Sequence, residues 1–229
     1  MAPILRYMKK NTSTQKTEKK KPAKKATRSK ILKAARKVFA QYAYHAASIR
    51  MIGKEAGIDH PLISYYFPSK AELFEAVLTD IVQEWDKANE AAFEGLEKMS
   101  PEAGLALYLD RIIGNSRKHP YAGRVYLLNM VQAQDEEAIP GYQAIRTFFE
   151  RTMAVLKDRI RLQASDRDIE IFSQGLNTLL LSYLGAQSYY AGILGMDSDS
   201  SEYEQWLKDM LMALFLPRLK QLISGKQNP

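Results

Sequence analysis

Apolar residues recur at helical spacing along most of the 229-residue chain, beginning near Arg28. The first stretch places six apolar residues on one helical face: Ile31, Leu32, Ala35, Val38, Phe39 and Tyr42. Two short helices follow, one capped by Ser48 and one capped by Asp59, with Gly57 in the turn between them. The pattern therefore predicts three helices between residues 28 and 67.

Capping residues mark the later helix starts. Ser69 and Glu72 form a capping box that predicts a fourth helix running as far as Lys98. Ser100 precedes a fifth helix that ends near Pro120. Further helices are predicted at residues 121–134, 142–161, 166–194 and 202–223. No useful length of the chain alternates as a strand would, so the prediction is an all-α fold of about nine helices.

The second and third predicted helices, joined at Gly57, have the arrangement of a helix-turn-helix. In the third helix, Ile63 and Phe67 are spaced to face inward, whereas polar and aromatic side chains face outward. A scaffold can hold one face of such a helix while the other reads base edges in a major groove. Three regions are predicted: a disordered basic arm at 1–27, a helix-turn-helix DNA-binding domain at 28–74, and a larger helical effector-binding and dimerisation domain at 75–229.

These helices resemble the N-terminal region of the TetR family of transcriptional regulators. The likeness covers about residues 28–75 and rests on Ile31 to Phe39, Tyr44 to Gly57 and Leu62 to Leu73, at the family's usual spacing. Ser64 stands where the family usually carries tyrosine, which leaves the base preference open. The resemblance implies a homodimer that binds a palindromic operator in double-stranded DNA and is released by a small-molecule effector.

The resemblance also implies roles for individual residues. Arg50 is expected to reach bases, Ser48 and Tyr66 to contact phosphate, and Lys70 to bind phosphate at the start of the fourth helix. Either Tyr65 or Tyr66 could instead pack into the three-helix core. The predicted DNA-binding residues are Ser48, Arg50, His60, Pro61, Leu62, Ser64, Tyr65, Tyr66 and Lys70.

Charge is concentrated at the N-terminus. Residues 1–30 hold eleven Lys and Arg residues against one acid, Glu18, whereas the other 199 residues carry a net charge of −3. A basic arm of this kind can add sequence-independent affinity for phosphates, although a solubilising tail would look the same. The charge run alone leaves these two alternatives open.

Two later helices are candidates for the dimer interface, because both are apolar enough to form a self-complementary surface. They span Phe172 to Leu194 and Trp206 to Leu222. The predicted interface residues are Leu176, Leu180, Tyr183, Leu184, Met210, Leu211, Leu214 and Phe215.

The middle helices combine apolar residues with a few polar ones, as an effector pocket does and as an ordinary helical core also does. The predicted pocket residues are Trp85, Tyr108, Arg111, Arg124, Tyr126, Asn129, Met130, Phe148 and Met153. Arg111 and Arg124 would attract a carboxylate or another anion if they faced inward.

The sequence offers no basis for catalysis or for a bound metal or cofactor. There are no cysteines, and His45, His60 and His119 lack metal-ligand spacing. The uncharged segment 171–196 carries too many polar residues and glycines for a membrane span. The sequence therefore predicts a cytoplasmic regulator that acts at the bacterial nucleoid, and neither an enzyme nor a membrane protein. A nucleoid-associated or division-control protein without an inducer is the alternative.

Overall fold

The computed structural model describes residues 20–133, 139–160 and 162–225, with side chains from residue 24 onward. This part of the chain is entirely helical apart from turns and loops. Its ten α-helices are α1 (Lys20–Gln41), α2 (Ile49–Ala56), α3 (His60–Tyr66), α4 (Lys70–Phe93), α5 (Pro101–Lys118), α6 (Ala122–Met130), α7 (Tyr142–Ile160), α8 (Asp166–Gly185), α9 (Gln187–Leu194) and α10 (Ser201–Ser224). A short 3₁₀ helix, Leu96–Lys98, joins α4 to α5. The predicted all-α class is confirmed.

Local capping explains several helix boundaries. The hydroxyl of Ser48 accepts a hydrogen bond from the backbone N–H of Met51 at the start of α2. Gly57 ends α2 with φ at +59°, a left-handed conformation that glycine adopts without a Cβ clash. Ser69 caps α4 in the same way by accepting from the N–H of Glu72. The predicted caps at Ser48 and Ser69 and the predicted turn at Gly57 are confirmed, whereas the side chain of Asp59 makes no capping hydrogen bond at the start of α3.

Helix α1 is longer than the apolar pattern indicated. It begins at Lys20, whereas the pattern placed its start at Arg28, so residues 20–27 of the predicted arm are helical. Lysine and alanine are favourable helix residues, and Pro22 lies in the first turn, where backbone N–H groups have no intrahelical partner. Residues 1–19 lie outside the described part of the chain.

Two groups of buried apolar residues hold the fold together. The N-terminal cluster runs from Ile31 to Val82 on α1–α4 and adds Ala122, Val125, Ile139, Ile145 and Phe148. The C-terminal cluster is formed by residues such as Phe93, Leu109, Leu156, Phe172 and Leu207. Helix α4 supplies residues to both clusters, so the proposed domain boundary at residue 74 falls within one continuous helix.

The helix predicted at 166–194 is interrupted. Helix α8 ends at Gly185 and α9 begins at Gln187, because Ala186 adopts a non-helical conformation. Gly185 lies directly against α6: a Cβ at this position would be 3.0 Å from the carbonyl carbon and oxygen of Gly123. The close approach of two backbones at Gly123 and Gly185 therefore fixes where α6 crosses α8.

Helix packing places α6 between the N-terminal helices and the rest of the body. It packs against α1 on one side and α8 on the other, while α10 packs against α5 and α8. Among the described helices, none is long and apolar enough to span a membrane.

Candidate DNA-binding surface and internal cavity

Helix α3 presents one buried face and one exposed face. Ile63 is completely buried and Phe67 is nearly so, which anchors α3 on α1, α2 and α4. On the opposite face, Leu62 and Tyr65 are 45% and 66% exposed, and Pro61 is also exposed. Because these three side chains lie on the same side of one short helix, they form an exposed apolar patch, and such a patch is a candidate contact surface.

Residues on α2 and at the start of α3 extend this surface. Arg50 is exposed, and within the described part of the chain it forms no ion pair. Its guanidinium is therefore available to an external acceptor. Ser64 is half-buried and His60 is exposed. Ser48 is already engaged as the cap of α2, which leaves its hydroxyl proton to donate to a phosphate.

Tyr65 is contacted by the extended start of α1. The Lys24 ammonium lies 3.3 Å from the Tyr65 hydroxyl and 5.0 Å from the centroid of its ring. Tyr66 is half-buried and packs against the N-terminal cluster, with its ring 5.2 Å from that of Tyr65. Of the two tyrosines, Tyr66 is thus the one that packs inward. The Lys24 contact was missed by the sequence reasoning because the arm was predicted to be disordered.

Lys70, which was predicted to contact phosphate, has partners within the protein. Its ammonium donates to the carbonyl oxygens of Tyr44 at 2.8 Å and Ala47 at 3.1 Å, and lies 4.5 Å from the Tyr44 ring centroid. Two of its three N–H donors are therefore used within the protein, which leaves one for an external acceptor. This lysine ties the start of α4 to the loop between α1 and α2, and its phosphate contact stays a prediction.

Several predicted pocket residues have other roles. Arg111 donates to the carbonyls of Ala92 at 3.1 Å and Glu94 at 2.6 Å, and so satisfies the end of α4. Asn129 is fully buried: its side-chain oxygen accepts from the backbone N–H of Tyr44 at 2.6 Å. Arg124 and Met130 are exposed. The sequence could not separate these roles because each depends on contacts between distant segments.

The remaining predicted pocket residues do not all line the same space in the structure. Trp85 packs against Tyr126 and Phe148, with ring centroids 5.9 and 5.4 Å apart. Tyr126, Met130 and Met153 line an open groove of about 560 Å³. The predicted residues therefore do not form one pocket.

A different cavity, of about 340 Å³, lies where α5, α7, α8 and α10 meet the 3₁₀ helix. Of the nine predicted pocket residues, only Tyr108 lines it. Its apolar wall includes Phe93, Leu96, Leu105, Leu156, Phe172 and Leu176. Tyr108 and Asn177 also line an adjacent space of about 90 Å³, which reaches Trp85, Phe148 and His119. Burial raises the pKa of Tyr108, so its hydroxyl stays protonated at neutral pH.

An ion-pair network connects this region to α1. Both oxygens of Glu84 on α4 accept from the Arg36 guanidinium, one of them at 2.7 Å, and Asp80 lies 3.7 Å from the same group. His119, just beyond α5, places its Nδ1 2.9 Å from the Glu84 carboxylate. Because His119 also lines the smaller space, the network joins the body to the N-terminal helices.

The predicted dimer residues divide into buried and accessible groups. Leu176, Leu180 and Leu211 were predicted at the dimer interface, but they are buried in the C-terminal cluster of their own chain and are core residues. Leu214 is 56% exposed, and Ile171, which was not predicted, is 60% exposed. The other predicted positions, Tyr183, Leu184, Met210 and Phe215, are partly buried against the same cluster.

The fold and this surface define a helix-turn-helix regulatory protein, with an exposed recognition helix carried by a helical body. Residues 31–77 match the family model described as "Bacterial regulatory proteins, tetR family". This match confirms the predicted resemblance of the N-terminal region to the TetR family. The matching model describes regulatory proteins, in agreement with the prediction that the chain is not an enzyme.

Relatives and solved structures show the same likeness. The HTH-type transcriptional regulator RutR of Escherichia coli K12 is 34% identical over 115 residues, 50% of this chain and 53% of that protein. The chain thus matches about half the length of these curated relatives. The HTH-type transcriptional regulator BetI of Vibrio vulnificus is 22% identical over 68% of this chain and 78% of its own. A TetR-like regulator from Rhodococcus sp. RHA1 superimposes with a TM-score of 0.59 at 22% identity, covering 87% of this chain and 97% of that one.

Proposed function

We propose that this protein is a sequence-specific transcriptional regulator, a repressor that a small-molecule effector releases from a palindromic operator. The observation that carries the proposal is the exposed face of α3, where Leu62 and Tyr65 stand out from a helix anchored by buried Ile63. Arg50 lies on the preceding helix, α2, where it is exposed and forms no ion pair within the described part of the chain, so its guanidinium can bind a guanine edge. Its site of action would be the nucleoid, in the bacterial cytoplasm.

A homodimer is part of the proposal, because a palindrome presents two equivalent half-sites. The surface favoured for the dimer combines exposed Ile171 on α8 and Leu214 on α10. Phe215 lies between these helices and packs against Gly175, where an added Cβ would be 3.5 Å from its ring. Pairing α8 and α10 with their symmetry mates would bury these apolar side chains in a four-helix interface.

Effector release would proceed through contacts that join the body to the N-terminal helices. Asn129 on α6 holds the backbone N–H of Tyr44, and Glu84 on α4 holds both Arg36 and His119. A ligand that prefers a different placement of α5 or α6 would shift these contacts and change the spacing of the two recognition helices. The cavity supports this mechanism over the alternative of a DNA-binding protein without an inducer.

Substitution of Arg50 and Tyr65 tests the DNA-binding surface. Operator fragments are first selected from random DNA with purified protein, and affinity is then measured by fluorescence anisotropy. Each alanine variant should lose roughly 10–100-fold in operator affinity, because each removes a base contact. Arg167→Ala and Tyr189→Ala are matched controls, since both residues are exposed and lie in the body. Unchanged affinity and base preference in folded Arg50→Ala and Tyr65→Ala variants would refute the proposal.

The basic arm is tested by deleting residues 1–19, which leaves α1 intact because this helix begins at Lys20. The deleted segment carries Arg6, Lys9, Lys10, Lys16 and Lys19. Deletion should reduce the dependence of operator affinity on salt and leave the preferred sequence unchanged. An unchanged salt slope would contradict a role of the arm in binding phosphates.

A further inference from the structure

The hydroxyl of Tyr108 has no hydrogen-bond partner in the described part of the chain, although the residue is only 7% exposed. Two other tyrosines of the body do have partners: the Tyr203 hydroxyl donates to the carbonyl of Tyr183, and that of Tyr142 to the carbonyl of Tyr126, each at 2.9 Å. Among the described residues, every fully buried side-chain oxygen or nitrogen has a hydrogen-bond partner. The Tyr108 hydroxyl is therefore not sealed in the core: it reaches the open space that its side chain lines, where it can donate to a molecule from outside the chain.

The two buried polar residues of the cavity wall besides Tyr108, Thr152 and Ser173, already have partners within the protein. Thr152 accepts from the side-chain amide of Asn89 at 3.0 Å, and Ser173 is bonded to Asn177 at 3.4 Å. The Tyr108 side chain lines both the 340 Å³ cavity and the adjoining space. A molecule occupying either one can therefore reach its hydroxyl, which is a donor because burial raises the tyrosine pKa.

Charge near the cavity is confined to its exposed rim. Glu97 and Arg159 are the charged residues of the lining, both are exposed, and their charges are opposite. The buried lining is uncharged and mostly aliphatic or aromatic. An ionised ligand group placed beside Tyr108 would lose its hydration without gaining a counter-charge.

We propose that the cavity binds an uncharged, mainly apolar small molecule whose oxygen accepts a hydrogen bond from the Tyr108 hydroxyl. The cavity volume of about 340 Å³ lies at the lower end of the range for ligand sites and suits a small ligand of about ten non-hydrogen atoms. The assignment deepens the proposed function, since this molecule would be the effector. Binding itself does not depend on DNA and is measured without it.

Three probes that share one alkyl chain test the ligand class: octan-1-ol, octanoate and octylammonium. Their affinities for the purified full-length protein are measured by isothermal titration calorimetry. Octan-1-ol should bind at least tenfold more tightly than either ion. Across hexan-1-ol, octan-1-ol and decan-1-ol, affinity should rise about three- to fourfold per added methylene, as burial of the chain requires. Tighter binding of octanoate, or no binding of any alcohol up to its solubility, would overturn the proposal.

Tyr108→Phe tests the anchoring hydroxyl, because it removes the donor and keeps the ring. The variant should bind octan-1-ol about tenfold more weakly. Tyr189→Phe, at an exposed tyrosine outside the cavity, should bind it like the unmodified protein. Equal affinity of the Tyr108→Phe variant and the unmodified protein would overturn the assignment of this residue. Circular dichroism confirms that the variants are folded.

Operator release separates this proposal from the proposed function. Octan-1-ol should displace the selected operator from the unmodified protein, and about tenfold more should be needed for Tyr108→Phe. If the protein selects no operator, the proposed function fails, while the calorimetry still decides what the cavity binds. If it selects an operator and the three probes fail to bind, only the ligand assignment is wrong.

Discussion

The C-terminal cluster borders a cavity, whereas the part of the N-terminal cluster around Phe39 borders none of the spaces described above. The 340 Å³ cavity is lined by members of the C-terminal cluster, such as Phe93, Leu156 and Phe172, and by no member of the N-terminal cluster. Leu73 and Phe74, by contrast, are completely buried beside Phe39. In the proposed function, the core around Phe39 holds α3 in place to read DNA, whereas the C-terminal cluster admits a ligand. The difference in packing therefore follows the division of labour proposed for the molecule.

Matched leucine truncations test this difference and should have the largest effects. Leu73→Ala should lower the free energy of unfolding by about 3–5 kcal/mol, because it opens a new void in a filled core. Leu156→Ala should cost about 1–3 kcal/mol, since Leu156 already borders a cavity and has fewer contacts to lose. Urea unfolding at one fixed protein concentration measures both.

The order of these two effects decides the comparison. Equal losses, or a larger loss for Leu156→Ala, would show that the C-terminal cluster is packed as tightly as the N-terminal one. Addition of octan-1-ol provides a second measurement: it should stabilise the unmodified protein, and the stabilisation should change in Leu156→Ala and stay the same in Leu73→Ala.

The same contrast explains what the sequence could predict. The caps Ser48 and Ser69 and the turn at Gly57 act over three or four residues, so the helix-turn-helix could be located from local spacing. Ser64 and Tyr65 could likewise be placed on the recognition helix. Whether they contact an operator stays a prediction.

Long-range packing could not be predicted from the pattern. Helix α10 is apolar around much of its circumference, so the sequence alone did not distinguish buried Leu211 from exposed Leu214. Arg111 was considered as a residue that could bind an anionic ligand, but its guanidinium donates hydrogen bonds to backbone carbonyls at the end of α4. Of the predicted pocket residues, Tyr108 is the one that lines the 340 Å³ cavity, and its aromatic and polar character alone suits a core as well as a pocket.

Glu84 offers a way to sharpen the comparison, since it lies on the helix shared by both clusters. Glu84→Gln should lower the free energy of unfolding by about 1–3 kcal/mol, because Arg36 is left half-buried with a weaker acceptor. It should also reduce the ability of an effector to displace operator, since His119 loses its link to α1. Thermal unfolding and operator-release titrations measure the two effects.

The control for Glu84→Gln is Glu102→Gln, which removes an exposed ion pair to Lys220 at 3.5 Å. That variant should stay within about 0.5 kcal/mol of the unmodified protein. If Glu84→Gln were as harmless as the control and left operator release unchanged, the network would have no role in connecting the two regions.

The smallest effect is expected at Asp168, where the C-terminal region has its own ion pair between α8 and α10. The hydrogen bond from Ser165 and then the nearby Arg218 lower the pKa of Asp168 below its ordinary value. Because the pKa is lower in the folded state, this carboxylate stabilises the fold above its unfolded-state pKa and loses that effect as pH falls through the folded-state value. Asp168→Asn should therefore unfold at a slightly lower temperature than the unmodified protein at pH 7, and at the same temperature once the carboxyl is protonated. If the difference in unfolding temperature between Asp168→Asn and the unmodified protein persisted at acidic pH, packing at this position, and not its charge, would join α8 to α10.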